Sequence, residues 1–597
     1  MQKVEIYIEG QRVELFKDES ISLTQTIQNA REIGKIFTDF SKTFNLPASK
    51  VNNKIFKHYY NFDITNGFDA RKKVNANIEL NSAPFRDGKI KLEGVDLRNN
   101  LPYSYKVTFF GNIVSLKDIF AEDTLQGLDL SAHDTLYGST EVIAAMQSDP
   151  TTNDVIAPLI THSQLLYFDS TNSLTATKGN GNLNYTVGVN QGVNWDDIKY
   201  AIRLDTILRA IESKYNLTFS SDFFTSSNTH FYNLFMWLHR KSGAVEKISE
   251  DNQAIVYFYS GLPTDPFDAT ETKVVASGAV RVIGEPSGYT TYSVSCFTAS
   301  TKSYKVVIIK DGVEVFKSES FIGNSSVTQV DFTLEQGDYS VGIEGSFNIT
   351  FTDVKWDIEY NTGTSVETIA YSTGTYIFTS VFNFIISQQI PTMGVLDFLT
   401  GLFKTFNLTA YFENNIIVVK TLDAYYSGGI SYDISKYVDT SKGAVNIALP
   451  FKEISFKHGD TKTFQAAKHG QKFGKTWGES EYDAGETLDG GKYDVTTPFS
   501  QMKYERLKDE GTNTPKSIQV GWSVSESQSS HKGKPLIFYP IFKNTDTIAL
   551  LLSSTNPTTL TSYNVPSNSL SLTRAGGLDN INFFNELNEW TGTQDWT

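Results

Sequence analysis

The sequence predicts a mainly β protein containing α+β modules, and three observations support that prediction. Apolar residues fall mostly in short alternating runs, the period-two pattern of half-buried strands. Tyr and Phe are abundant while Pro is sparse, a composition that suits sheets. One short design occurs twice: LDTILRAIESKYNLT at residues 204–218 and LDFLTGLFKTFNLT at residues 396–409. Each is an amphipathic helix with Leu-Asp near its start and Asn-Leu-Thr at its end, and each is expected to run into strand. A chain of 597 residues implies about three to five domains, because single cores stop growing well below that size.

Taken in order, the chain divides into five regions. Residues 1–112 form an N-terminal β-rich domain that opens with an alternating hairpin turning at Glu9-Gly10. Val74, Ala76, Ile78 and Leu80 alternate with polar residues, and Ile90 and Leu92 repeat the pattern after an expected turn at Asp87-Gly88; residues 50–59 read as a short helix. Residues 113–195 are a loop-rich connector, helical at VSLKDIFAEDTLQGL and then dominated by Ser, Thr, Asn and Gly. Residues 196–269 hold the first helix-strand module. Leu204, Ile207, Leu208, Ile211 and Tyr215 recur at i, i+3, i+4, i+7 and i+11, with Asp205 in the first turn and Asn216 suited to the left-handed residue that closes a helix.

Residues 270–361 read as strands only, at short regular spacing, with Asp311-Gly312 marking a tight hairpin. They are an inserted β-sandwich of jelly-roll or carbohydrate-binding-module character. Its aromatics Tyr289, Tyr292 and Trp356 serve either as core or as a glycan-stacking platform, and the structural reading is favoured. Residues 362–597 contain the second module and a C-terminal β region. Val395, Phe398, Leu399, Leu402, Phe403 and Phe406 keep a similar apolar spacing, Leu396-Asp397 stands near the helix start as Leu204-Asp205 does in the first copy, and Asn407 takes the place of Asn216. The polar stretch 462–492 is expected to be either a flexible loop or a segment ordered by a neighbouring subunit.

A formal charge of −15 argues against a basic, phosphate-tracking nucleic-acid binder, and simple solubility is the favoured account of the acidity. Cys296 is the only cysteine, so neither an intrachain disulfide nor a cysteine zinc cluster is available. The N-terminus lacks the basic region and apolar core of a signal peptide. The longest apolar run, residues 376–386, is far short of the ~20 residues a bilayer helix needs.

The search for chemistry finds no phosphate loop, zinc-protease helix, nucleophile elbow or dinucleotide fingerprint. His230 and His239, like His458 and His469, lack the short spacing of paired metal ligands. Asp196 with Asp197, or Glu479 with Glu481, are adjacent acids whose pairing only spatial proximity decides. The expectation is no catalytic residue, no metal and no cofactor.

The second repeat and its continuation, MGVLDFLTGLFKTFNLTAYFENNIIVVKTLDAYY and then ALPFKEISFKHGDTKTFQ, resemble the hub proteins of bacteriophage tails and baseplates. AIRLDTILRAIESKYNLTFSSDFF resembles the matching first module of those hubs. The resemblance implies a virion structural protein without enzymatic activity, assembled in the host cytoplasm. It would be a homotrimer with two similar β-barrel-like units per chain, docking a sixfold tail tube to a threefold tip or spike while DNA passes without specific binding. The sandwich departs from simple hubs and would contact tail proteins or host-surface glycan. Two alternatives stand beside this: a glycan-binding surface or receptor-binding protein, and a tail-associated glycan hydrolase.

Overall fold

In a computed structural model the chain is mainly β, 45% strand against 17% helix, and includes a sheet curled into a half-barrel. The structure describes residues 4–570 except 18–22, 26–38, 42, 62, 65–66, 112–114, 174–177, 185–191, 246–252, 257, 259–279, 283–288, 330–336, 346–347, 362–365, 414–415, 430–432, 434–440, 442–450, 461, 475, 486–489 and 554–555.

The N-terminal sheet has eight strands and its own core, built from alternate residues such as Ile6, Ile8, Ile78, Ile90, Leu92, Tyr105 and Val107. Glu9 and Gly10 both have positive φ and close the first hairpin as expected from the sequence. The helix of this region is Lys50–Ile55, capped by the Ser49 hydroxyl, which accepts from the Asn52 N–H. Asp87-Gly88 is not a turn. Both residues lie inside the long strand Ala83–Arg98, opposite Asn77 and Ala76, and the turn falls at Asn81-Ser82, where φ is 54° and 62°. Gly88 is needed for space. A Cβ there would stand 2.2 Å from the Phe110 carbonyl oxygen and 2.7 Å from the Phe109 ring.

Two antiparallel sheets share the core that contains Tyr292, Val294, Cys296, Tyr304, Ile308, Val341, Trp356 and Ile358. One sheet runs Gln253–Val256, Gly337–Glu344, Ser303–Lys310, Val313–Lys317; the other runs Ser325–Gln329, Tyr289–Phe297, Asp353–Asn361, Val366–Ser372. Asp311 and Gly312 close the expected hairpin. The bounds 270 and 361 are therefore too narrow: strands on either side of them pair into these sheets, and Phe378 joins the core. Position 270 itself lies outside the described residues. Gln253–Val256 pairs with Gly337–Glu344 far along the chain, which local periodicity does not reveal, whereas Val366–Ser372 pairs with the strand just before it.

The regions read as connector, first module and second module share one core, from Leu116 through Ile211 and Leu402 to Val565. A five-stranded sheet joins them in the order Val155–Ile156, Ala201–Arg203, Phe235–Trp237, Ile537–Lys543, Tyr563–Ser567. The polar stretch 462–492 also differs from expectation. It holds the helix Phe464–Phe473 and the strand Ser480–Asp483, and Trp477 is fully buried. The order comes from within the chain: Phe464 N–H donates to the Val524 carbonyl at 2.8 Å, and its ring meets Trp522 edge-on. Gly and Lys dominate the text of this segment and mask the few apolar residues that anchor it.

Gly88→Ala is expected to destabilise the N-terminal sheet by about 1–3 kcal/mol, since backbone has to move to admit the methyl group. Hydrogen exchange over residues 83–111 should speed up while that of the sandwich stays unchanged; equal protection in both would refute the packing argument.

Candidate functional site

The two repeated helices are Leu204–Tyr215 and Val395–Thr405. Leu204, Ile207, Leu208 and Ile211 of the first and Val395, Phe398, Leu399, Leu402 and Phe403 of the second are fully buried, so each apolar stripe faces the common core. Tyr215, Leu396 and Phe406 pack against its margin. Asn216 has φ 50° and Asn407 φ 49°, the left-handed conformation expected at both helix ends. Asp205 pairs with Arg209 at 2.9 Å on the outer face of the first helix. Asp397 lies in the first turn of the second, beside Gly394. Gly401 lies tight against the Phe499 ring, where a Cβ would approach to 2.5 Å.

The helices are tied to each other by contacts that the sequence reading did not identify. Asp123 is the clasp. Its carboxylate accepts from Tyr215 at 2.6 Å and Lys214 at 2.9 Å, at the end of the first helix, while its carbonyl accepts from the Val395 N–H at 2.9 Å, at the start of the second. The Tyr215 hydroxyl and then Lys214 hold the Asp123 carboxyl below the usual carboxylate range. Beyond the helix ends, the Ser220 N–H donates to the Ile417 carbonyl and the Ile417 N–H to the Thr218 carbonyl, both at 2.9 Å. The Phe223 ring meets Phe406 at 5.1 Å.

This junction corrects the expected symmetry. The second helix runs into a real hairpin, Leu408–Glu413 with Ile416–Thr421, but the first leads only to a single bridging residue, Phe219 opposite Ile417. The first module thus borrows the hairpin of the second.

Arg203, immediately before the first helix, is 1% exposed. Its guanidinium donates to Asp154 at 2.7 Å and to the carbonyls of Tyr232, Pro150 and Asn153, and it stacks on the Tyr232 ring. The only hint in the sequence is an arginine inside the apolar run AIRL.

The body also holds a buried polar cluster. Lys199, 2% exposed, donates to His239 Nδ1 at 2.9 Å and to the Lys241 carbonyl at 3.2 Å; His239 Nε2 then donates to the His531 carbonyl at 3.0 Å. This pattern requires a neutral imidazole with its proton on Nε2. Burial, reinforced by the Lys199 charge, pushes His239 down to about 2 and His162 down to about 3. The His162 and His239 rings lie 6.2 Å apart, and His239 stacks on Trp237 at 4.3 Å.

Asp196 and Asp197 are brought together on one short turn, with Ser163 and Gln164 donating to Asp197 at 2.9 Å each. Burial and the neighbouring Asp196 raise Asp197 to about 6. Glu479 lines an open cleft of about 700 Å³ between the strand Phe451–Asp460 and the helix Phe464–Phe473, whereas Glu481 is exposed on the adjacent strand. His239 belongs to the cluster above, the His230 carbonyl accepts from the Tyr539 hydroxyl at 2.6 Å, and His458 is engaged by Thr497 at 2.8 Å. Tyr292 and Trp356 are 1% and 0% exposed, so they are sandwich core and cannot stack on a glycan. The side chain of Tyr289 lies outside the described residues. Among the described residues no group of three or more His, Cys, Asp or Glu could hold a metal ion.

Three outcomes are expected. Ile207→Ala or Leu402→Ala should each cost about 2–5 kcal/mol, measured by denaturant unfolding, because each empties part of the common core. Arg203→Ala should cost about 3–5 kcal/mol, since it leaves several buried acceptors without a donor. The two lowered histidines keep the folded state unprotonated while the unfolded chain takes up protons below about pH 6.5, so their contribution is complete above that pH and is lost as pH falls toward 3. The raised Asp197 acts in the opposite sense, taking up a proton in the folded state below about pH 6. Asp197→Asn should therefore make stability fall more steeply between pH 6.5 and pH 4 than in the wild type. An unchanged slope would contradict the assignment.

No protein-family model and no curated protein matches this chain. Among solved structures it is similar to the carbohydrate-binding module CBM36, in complex with calcium and xylotriose, at 18% identity. The match covers 22% of this chain and 100% of that one, with a TM-score of 0.11, a value too low to support an argument about ligand or function.

Proposed function

We propose that the chain is a structural subunit of a phage-tail hub: three copies close around an axis, six module helices face the tail tube, and the genome passes through the centre without turnover chemistry. The observation that supports this reading is the direct packing of two similar helices on one core, clasped by Asp123 and the Ser220–Ile417 contacts. Such a pair gives each subunit two similar helices in a fixed relation, so a threefold ring of subunits would present six. Strand edges between subunits would pair to complete the ring. The glycan-binding alternative loses two of its three platform residues, Tyr292 and Trp356, to the sandwich core.

Solution mass and negative-stain imaging test the proposal. The expected particle is a ring of about 200 kDa, three times the 66.7 kDa chain, with an axial hole. A stable monomer at micromolar concentration would count against it. Glycan binding by the full-length chain with no self-association would favour the alternative.

A further inference from the structure

We propose that the tip of the long N-terminal hairpin is a docking finger for a second copy of this chain, seated on the acidic remainder of that copy; this rests on the ring-forming reading above. The hairpin joins Ala83–Arg98 to Leu101–Gly111 through an Asn99-Asn100 turn in which both residues have positive φ. Towards its base the hairpin is covered, and Tyr105 and Val107 are fully buried. Towards its tip the apolar text continues after the cover ends. Leu97 is 52% exposed, Leu101 68% and Tyr103 39%.

The register puts these side chains on both faces. Leu101 pairs with Arg98, whose guanidinium lies 3.4 Å above the Tyr103 ring, so these three share one face; Leu97 pairs with Pro102 on the other. A two-sided apolar tip carrying a stacked arginine suits insertion into a protein cleft better than contact with a flat polyanion.

Charge identifies the occupant. Residues 1–112 hold seventeen Lys and Arg against thirteen Asp and Glu, a net +4, so the rest of the chain carries −19. The two parts of one polypeptide are therefore complementary, and a tip of one copy on the body of the next is a heterologous contact of the kind that closes rings.

The test uses the full chain with a photo-crosslinking amino acid in place of Leu101, in a mixture of isotopically light and heavy copies analysed by mass spectrometry. Crosslinks between copies are expected from position 101 to residues 113–597, and Leu97→Asp with Leu101→Asp should weaken self-association at least tenfold. Rings that assemble without such crosslinks, or with crosslinks only to residues 1–112 of another copy, would overturn the finger and leave the hub reading standing. A chain that stays monomeric at all concentrations would overturn both. Retention on duplex DNA, abolished by the double variant, in a chain that does not self-associate would assign the tip to nucleic acid and overturn the proposal.

Discussion

Neither module helix can bury its own apolar stripe, and that constraint organises most of the molecule. An amphipathic helix of eleven or twelve residues is marginal alone in water and depends on a partner surface. Here the surface is shared: the stripe of Leu204–Tyr215 and the stripe of Val395–Thr405 enter one core, and strands from the C-terminal region close over it. The clasp at Asp123 and the edge contact at Ile417 fix how the two helices meet, while the buried Arg203 pins the entry to the first. The sandwich lies between the two helices in the sequence but keeps a core of its own. It could be lengthened or replaced with little effect on the junction, so long as its two ends return to the body.

The parts of this arrangement that depend on local spacing were legible in the sequence. The stripes at Ile207 and Leu402, the left-handed Asn216 and Asn407, and the hairpins at Glu9-Gly10 and Asp311-Gly312 follow from period and turn chemistry, and the structure has them. Asp87-Gly88 shows the limit of turn dipeptides: the same pair that closes a hairpin also serves where a strand must pass under an aromatic ring, and only the packing against Phe109 tells which. Tyr292 and Trp356 were ambiguous for a similar reason, because an aromatic at an alternating position faces inward or outward according to a sheet partner that local sequence does not name.

What joins the regions was not legible. Asp123 sits in an unremarkable acidic loop, Arg203 reads as one cation in an apolar run, and Lys199 with His239 are separated by forty residues. Their importance arises from desolvation. Burial, reinforced by a neighbouring lysine, keeps the His239 imidazole neutral, and burial reinforced by a neighbouring acid lets Asp197 take up its proton at a higher pH; neither effect has a sequence signature. The hub reading and the charge asymmetry belong to different levels again, one to segment order and the other to simple counting over a domain.

The shared core also has a temporal side. Trp522 bonds to Ser163 across 359 residues, and Asn564 donates to the Met146 carbonyl across 418. On a ribosome, the connector and the first helix would emerge long before the strands that cover them, whereas the sandwich is complete within its own stretch of chain. The sandwich can therefore fold while synthesis continues, but the body has to hold exposed apolar surface until the strands Ile537–Lys543 and Tyr563–Ser567 have been made. Shielding of that surface during synthesis, rather than sequence-local propensity, would then govern the yield of folded protein.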